Sequence, residues 1–439
     1  AETATRYGQE IVALMKAFGA EPDVVVQPAQ NPAYRQTVEA ALEQLCRDGF
    51  VSRKPGKAYF CPKCDASLYD GFAAGTCPHC HTSCRGSLCE TCCMVNTSET
   101  HQEVQCLFCE EPAVERPVER LMFSLKPFQE ALGQYHASLR LSPRLRVLAR
   151  QFMQVSEIEV SQVGTWGIPV PIEGQILSPW FEMSLAGQAL TAGHEVVNCF
   201  GADNAFFYLI QDPAVSLALD PSRTLPTALF ANEYLMLDEQ KMSTSRGHSL
   251  DAGELMKTQP ADLLRLYLAG VRPEHRDTRC NPEEMQQFLQ VGVVGPWQDW
   301  LERLGRSLMA EAGSKAPAPV ELGPEQHEFY SQLHWLRQRA ERAYDLGNLP
   351  EAARCLHDLV QQAASFAESQ EPLVGTPERA NSLALGLAAV RLMAGLSGPL
   401  MPQFSALLWK HLGYRTPEGW PLEVNLLTPG QRILAAAGL

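Results

Sequence analysis

The sequence predicts an α/β protein that carries a metal-held insertion and ends in a bundle of helices. Three observations predict it: short strand-like apolar runs between turn residues from Glu157 onward, a stretch from Tyr59 to about Val114 in which cysteine pairs replace apolar periodicity, and leucines and alanines at helical spacing through the last third. At 439 residues the chain exceeds one ordinary core. A prior of ~100–200 residues per domain divides it into about three.

Ile11, Leu14, Met15 and Phe18 share one face of a helix over Tyr7 to Phe18. Asn31 before Pro32 makes an N-cap and first turn, and that second helix runs through Val38, Leu42 and Leu45 to a stop near Gly49. Both are expected to belong to an α/β domain whose first strands are absent from this chain. Residues 1–58 are thus read as the remainder of its first half, 59–115 as the insertion, and 116–250 as its second half. In that half WGIPVP (Trp166 to Pro171), HEVVNCFG (His194 to Gly201) and TALFANEYLML (Thr227 to Leu237) are expected strands. Residues 251–312 are stem helices, 313–325 a Pro- and Gly-rich linker, and 326–439 the bundle.

Thirty-six Lys and Arg against fifty Asp and Glu give a net charge of −14, which offers no broad attraction for a polyanion. The most apolar stretch, Leu383 to Leu400, carries Arg391, Gly395 and Pro399, so no bilayer span and no membrane partner are expected. The start, AETATRYGQE, has no secretory pattern. Eleven of the fourteen cysteines fall between Cys46 and Cys109, mostly as Cys-x-x-Cys, which suits metal in a reducing, cytoplasmic setting.

Four such pairs stand in order: Cys61 and Cys64, Cys77 and Cys80, Cys89 and Cys92, Cys106 and Cys109. Two residues between thiolates let both reach one ion, and two pairs complete a tetrahedral zinc site with no open position for chemistry. Two structural Zn²⁺ ions follow. The short gap from Cys80 to Cys89 favours the two middle pairs on one ion and the outer two on the other, with Cys84, Cys93, His79 and His81 as competing neighbours.

Read together, YFCPKC, GTCPHC and LCETCC, then WGIPVP, PWFE, CFGADN, NEYLMLDEQKMSTSRG and YLAGVRPE, resemble the methionyl-tRNA synthetases of class I, most closely the archaeal and eukaryotic branch, from about Tyr7 to the C-terminus. The resemblance implies a class I synthetase Rossmann-like catalytic domain with a zinc-knuckle insertion, and ATP, with Mg²⁺, as cosubstrate. It implies ATP contacts at Gly201 and Asp203, where backbone approaches the nucleotide and a carboxylate accepts ribose hydroxyls. It assigns the catalytic loop to Lys241, Ser243, Thr244, Ser245 and Arg246, with Lys241 on the phosphates. It places the amino acid against Trp180, Met183, Gly187, Asn204 and Tyr208.

The chain also departs from that family. The His-x-Gly-His motif occurs nowhere in it and is expected in a preceding segment. Thr244 replaces the second signature lysine, and Ala202 the lysine of Gly-Lys-Asp. In WFEMSLAG, Glu182, Met183, Ser184 and Gly187 replace the family's pocket residues, and Tyr208 its histidine. Two anticodon-reading positions have become Ala364 and Leu373, which removes a stacking ring worth ~1–3 kcal/mol. The expectation is therefore an ATP-dependent ligase that activates an amino acid other than methionine as its adenylate. Its acceptor is expected to be a small-molecule hydroxyl or N-hydroxyl in specialised metabolism rather than tRNA. That resembles the synthetase-like part of cupin-fused hydrazine synthetases and implies a cupin domain as partner. The alternatives are a methionine–tRNA ligase of translation and a non-catalytic zinc-bearing scaffold.

Overall fold

The helix Pro32–Arg47 starts where Asn31 accepts the backbone N–H of Tyr34 at 3.2 Å and buries Val38, Leu42 and Leu45 along one face. The structure, a computed structural model, describes residues 2–28, 31–243, 247–421 and 423–434. It divides into two units, one of Val26–Glu233 and one of Ala1–Val25 with Tyr234–Leu439.

In the first unit the long strands Val51–Cys61 and Val114–Ser124 pair antiparallel along their length, from Val51 opposite Phe123 to Phe60 opposite Val114. Among the described residues they form the centre of a sheet edged by Ala66–Leu68 and Glu157–Glu159. One end of this ribbon lies in the core, where Phe123, Phe152, Phe181 and Phe206 are fully buried, each contributing about 2–3 kcal/mol on burial. Its other end carries the cysteine module, so the insertion hangs from a stiff backbone ladder. The buried Arg120 anchors the junction, donating to Glu159 at 3.1 Å and to the carbonyls of Lys57 and Ser161.

Val197–Gly201 pairs parallel with Ala228–Asn232, and both strands end toward the turn Ala202–Asn204 and residue Glu233. Trp166 to Pro171 is not a strand. Pro169 and Pro171 have no N–H to give a ladder, Trp166 lies in solvent, and a single bridge joins Pro169 to Ile176.

In the second unit, the helix Glu2–Ala17 buries none of its residues fully. Phe18, just after it, packs on Leu264, Tyr267, Met285 and Leu289, while Arg265 donates to the carbonyls of Phe18, Pro399 and Leu400. Ala1–Val25 thus groups with the C-terminal helices and not with Pro32–Arg47, because its apolar anchor finds partners there. The helices Gly295–Ala312, Pro324–Asp345, Leu349–Ser369, Arg379–Ser397 and Pro402–His411 share one core. Arg379–Ser397 is long and apolar enough to cross a membrane by composition, yet it lies buried at the centre of this bundle, as a helix apolar all round must.

Residues 313–323 are packed rather than loose. Asn381, wholly buried, accepts the N–H of Val320 at 2.7 Å and donates to Glu321 and Gln326, and Ala316 pairs with Gln431.

Candidate active site and metal centres

Each Cys-x-x-Cys pair is followed by a residue in the left-handed region: Asp65 at φ 49°, His81 at 59°, Cys93 at 65° and Glu110 at 59°. The left-handed residue turns the chain back on itself, and the N–H groups of His81, Cys93 and Glu110 close onto the carbonyls of Cys77, Cys89 and Cys106 at 2.8–3.0 Å. The same tight turn recurs four times, presenting two sulfurs on one side. The turns meet in two tetrads, Cys61, Cys64, Cys106 and Cys109 in one and Cys77, Cys80, Cys89 and Cys92 in the other, with all sulfurs of a tetrad within 4.8 Å of one another.

Tetrahedral zinc–sulfur bonds of ~2.3 Å put sulfurs ~3.8 Å apart. The separations here are 3.5 Å for Cys61 and Cys109, 3.4 Å for Cys64 and Cys109, 3.7 Å for Cys77 and Cys92, and 3.6 Å for Cys80 and Cys89. The donor sets fit zinc, which would be held with no coordination position left for water. The Thr82 hydroxyl lowers the Cys80 thiol to about 6, in the direction of the thiolate that metal binding needs. The competing neighbours are engaged elsewhere: Cys84 contacts His101 at 3.3 Å and Asn96 at 3.2 Å, and Cys93 accepts from Arg144 at 3.3 Å. His79 and His81 belong to neither tetrad.

At the carboxyl end of Val197–Gly201, a Cβ on Gly201 would meet Asp203 Oδ1 at 2.5 Å. Only glycine lets that carboxylate fold back over the strand end, the place where open α/β sheets bind ligands. Asn204 donates to Asp203 at 3.3 Å and does not line the cleft that holds the other expected amino-acid contacts.

That cleft, of about 190 Å³, brings together Trp180, Met183, Gly187 and Tyr208. Trp180 stacks on Phe207 with centroids 4.0 Å apart, and Tyr208 on Phe200 at 4.4 Å. Gln211, buried, donates to the Trp180 carbonyl at 2.8 Å and to Ser184 at 3.0 Å, which holds the wall in place. Nothing lies within 4 Å of a Cβ built on Gly187, so this side of the cleft stands open. Glu182 faces away and accepts the Tyr34 hydroxyl at 2.8 Å.

Two charged residues of the cleft, Asp212 and Arg223, escape the motif reading. The available signal was a lone acid inside the apolar run FFYLIQDPAVSLAL. The π-helical turn Phe207–Gln211 continues directly into the helix Asp212–Leu219, so Asp212 is not a free cap. Burial pushes its carboxyl up to about 6, and Arg223 pulls it back only in part; Tyr135 and Tyr208 share its surroundings. Between about pH 4 and 6 the folded state therefore keeps a proton that the unfolded chain has lost, and stability falls as pH rises. Asp212→Asn is expected to stabilise the protein by on the order of 2 kcal/mol at pH 7.5 and by nothing at pH 4. Thermal melts of both forms at the two pH values check this; an equal shift at both would remove the ionisation argument.

In the other unit, Asp238 and Glu239 both take positive φ, the two-residue turn that joins Leu235–Leu237 to Gln240–Lys241. Lys241 Nζ sits 4.0 Å from the centroid of the Tyr234 ring. Ser243 and His248 exchange backbone hydrogen bonds at 2.6 and 3.1 Å and close the base of the loop. Thr244, Ser245 and Arg246 lie outside the described residues.

Residues 1–187 and 188–304 match the family described as tRNA synthetases class I (M). The chain belongs to that family. The synthetase is 24% identical over 426 residues to the methionine–tRNA ligase of Pyrobaculum arsenaticum, covering 90% of this chain and 75% of the relative. It is 24% identical over 458 residues to that of Pyrobaculum islandicum, covering 98% and 80%. Its fold is that of methionyl-tRNA synthetase from Mycobacterium tuberculosis bound by methionyl-adenylate, with TM-score 0.79 at 15% identity over 99% of this chain and 86% of the other. The synthetase is thus an ATP-dependent ligase of the class I aminoacyl-tRNA synthetase type. The scaffold alternative does not account for this membership.

Proposed function

We propose that the synthetase activates an amino acid as its adenylate and passes the acyl group to tRNA. The observation that carries the reading is the glycine and carboxylate at the end of a parallel strand, Gly201 and Asp203, in a chain that matches the class I family over most of its length. The amino-acid carboxylate attacks the α-phosphorus of ATP, supplied as its Mg²⁺ complex, and pyrophosphate leaves. Asp203 accepts the ribose hydroxyls, while Lys241 and Ser243 oppose the charge that grows on the leaving phosphates, with Thr244, Ser245 and Arg246 as further donors. A hydroxyl of the acceptor then attacks the adenylate carbonyl and AMP departs.

The relatives of similar sequence are named methionine–tRNA ligases, which supports tRNA as acceptor over the small N-hydroxylated acceptor, the hydrazine chemistry and the cupin partner expected from the sequence. Methionine is accordingly the first amino acid to try. A second reading, an amino acid other than methionine, is favoured by the cleft, which is open at Gly187 and charged at Asp212.

Amino-acid-dependent ATP–pyrophosphate exchange over a panel of amino acids, followed by acyl transfer to tRNA and to N-hydroxylated amines, tests the proposal. Exchange and a tRNA ester are expected. Ester formation on the amine alone would return the specialised ligase, and no exchange with any amino acid would remove activation altogether.

A further inference from the structure

The cleft beside the Trp180 and Phe207 stack holds an anion with little to balance it. Among the described residues, the Asp212 carboxylate has one donor, Gln188 Nε2 at a long 3.4 Å. None of the described cations lies within ion-pair distance of it. Arg223, the nearest in charge, spends Nη2 on the Gln188 carbonyl at 2.6 Å and the Thr191 hydroxyl at 2.7 Å. The helix gives Asp212 no capping role either, since helical turns precede it, and its backbone carbonyl is taken by Ser216 at 2.8 Å.

A carboxylate half-buried in an apolar cleft and left short of donors is costly. Such a group in a cleft marks a candidate site where a ligand supplies the missing donor. A thioether cannot do so: its sulfur accepts weakly and donates nothing. Filling this cleft with a methionine side chain would desolvate Asp212 further and return no hydrogen bond.

We infer that the cleft receives the side chain of the activated amino acid and selects one that ends in a hydrogen-bond donor, an ammonium above all, with Asp212 as its acceptor. Trp180 and Phe207 form an apolar wall for the methylenes of such a side chain, and the missing side chain at Gly187 leaves room for its length. Asp212 is then a specificity-determining residue, and the destabilising charge is relieved when substrate binds. Discrimination of this kind is strong, because a site built around a polar group is left unpaired by an analogue that lacks its partner.

This inference rests on the activation reading, and the test separates the two. Calorimetric titration of the full natural protein uses non-hydrolysable lysyl, ornithyl, glutaminyl and methionyl sulfamoyl-adenosines, with adenosine sulfamate as the reference. The lysyl or ornithyl compound is expected to bind at least tenfold tighter than the methionyl compound, and Asp212→Asn to erase that preference. Asparagine keeps the shape of the side chain, and a melt of the variant verifies its folding. Tightest binding of the methionyl compound, with the same order in Asp212→Asn, would overturn the inference and leave activation standing. No binding of any compound, adenosine sulfamate included, would overturn both.

Discussion

Chelation of the metal is expected to unfold the cysteine module while the rest of the first unit keeps its structure. In the lobe of Cys77, Cys80, Cys89 and Cys92, the apolar cluster consists of cysteines alone, with Cys84 as its fifth member. Among the described residues, no aliphatic or aromatic side chain belongs to that cluster. The other tetrad is backed by Tyr59, Leu68, Ala73 and Val104, so it should give way second. Structural zinc in small peptides contributes about 10–16 kcal/mol, more than a lobe of this size gains by burial. Cys89→Ser should lower the metal content from two ions to one and abolish amide protection over residues 77 to 92. Metal analysis with hydrogen exchange checks both statements. Two ions retained in the variant, or protection unchanged after chelation, would show that the sulfurs do not hold the fold.

Lys241→Ala is expected to lower amino-acid-dependent exchange by about 10²–10³, the scale for removing a donor aimed at developing charge. The loss should be large because Thr244 stands where a second signature lysine would share the work, and a neutral hydroxyl contact is about half as strong as a charge-assisted one. Lys241 is placed by backbone pairing to Met236 and by the Tyr234 ring. The fall should appear in kcat and in kcat/KM for ATP alike, since the contact strengthens only as pyrophosphate separates. Lys241→Arg should recover part of the rate. An unchanged rate in Lys241→Ala would move the role to another residue.

Ala364 and Leu373, at the positions where the family resemblance implies anticodon readers, lie on the helix Leu349–Ser369 and the short turn Glu371–Leu373. Their exchange for other residues counts against a methionine anticodon, whereas the named relatives count in favour of tRNA. A tRNA other than the methionine one would reconcile the two, and acyl transfer to a set of individual purified tRNAs distinguishes it.

What the sequence determined alone is local. The Cys-x-x-Cys turns, the Asn31 cap and the succession of late helices each depend on residues a few positions apart, where covalent geometry limits the choices. The short apolar run that suggested a strand at Trp166 to Pro171 is local too, but it failed because a strand needs a neighbour and two prolines remove the donors. The short gap from Cys80 to Cys89 already favoured the pairing of cysteine turns that the two tetrads show, whereas tertiary structure alone decided that the start of the chain packs on Arg265 and Leu289, and that Asp212 meets Gln188, Trp180 and Arg223 around one cleft. Those partners come from separate elements brought together by the burial of apolar faces, and such meetings leave no period in the sequence to read.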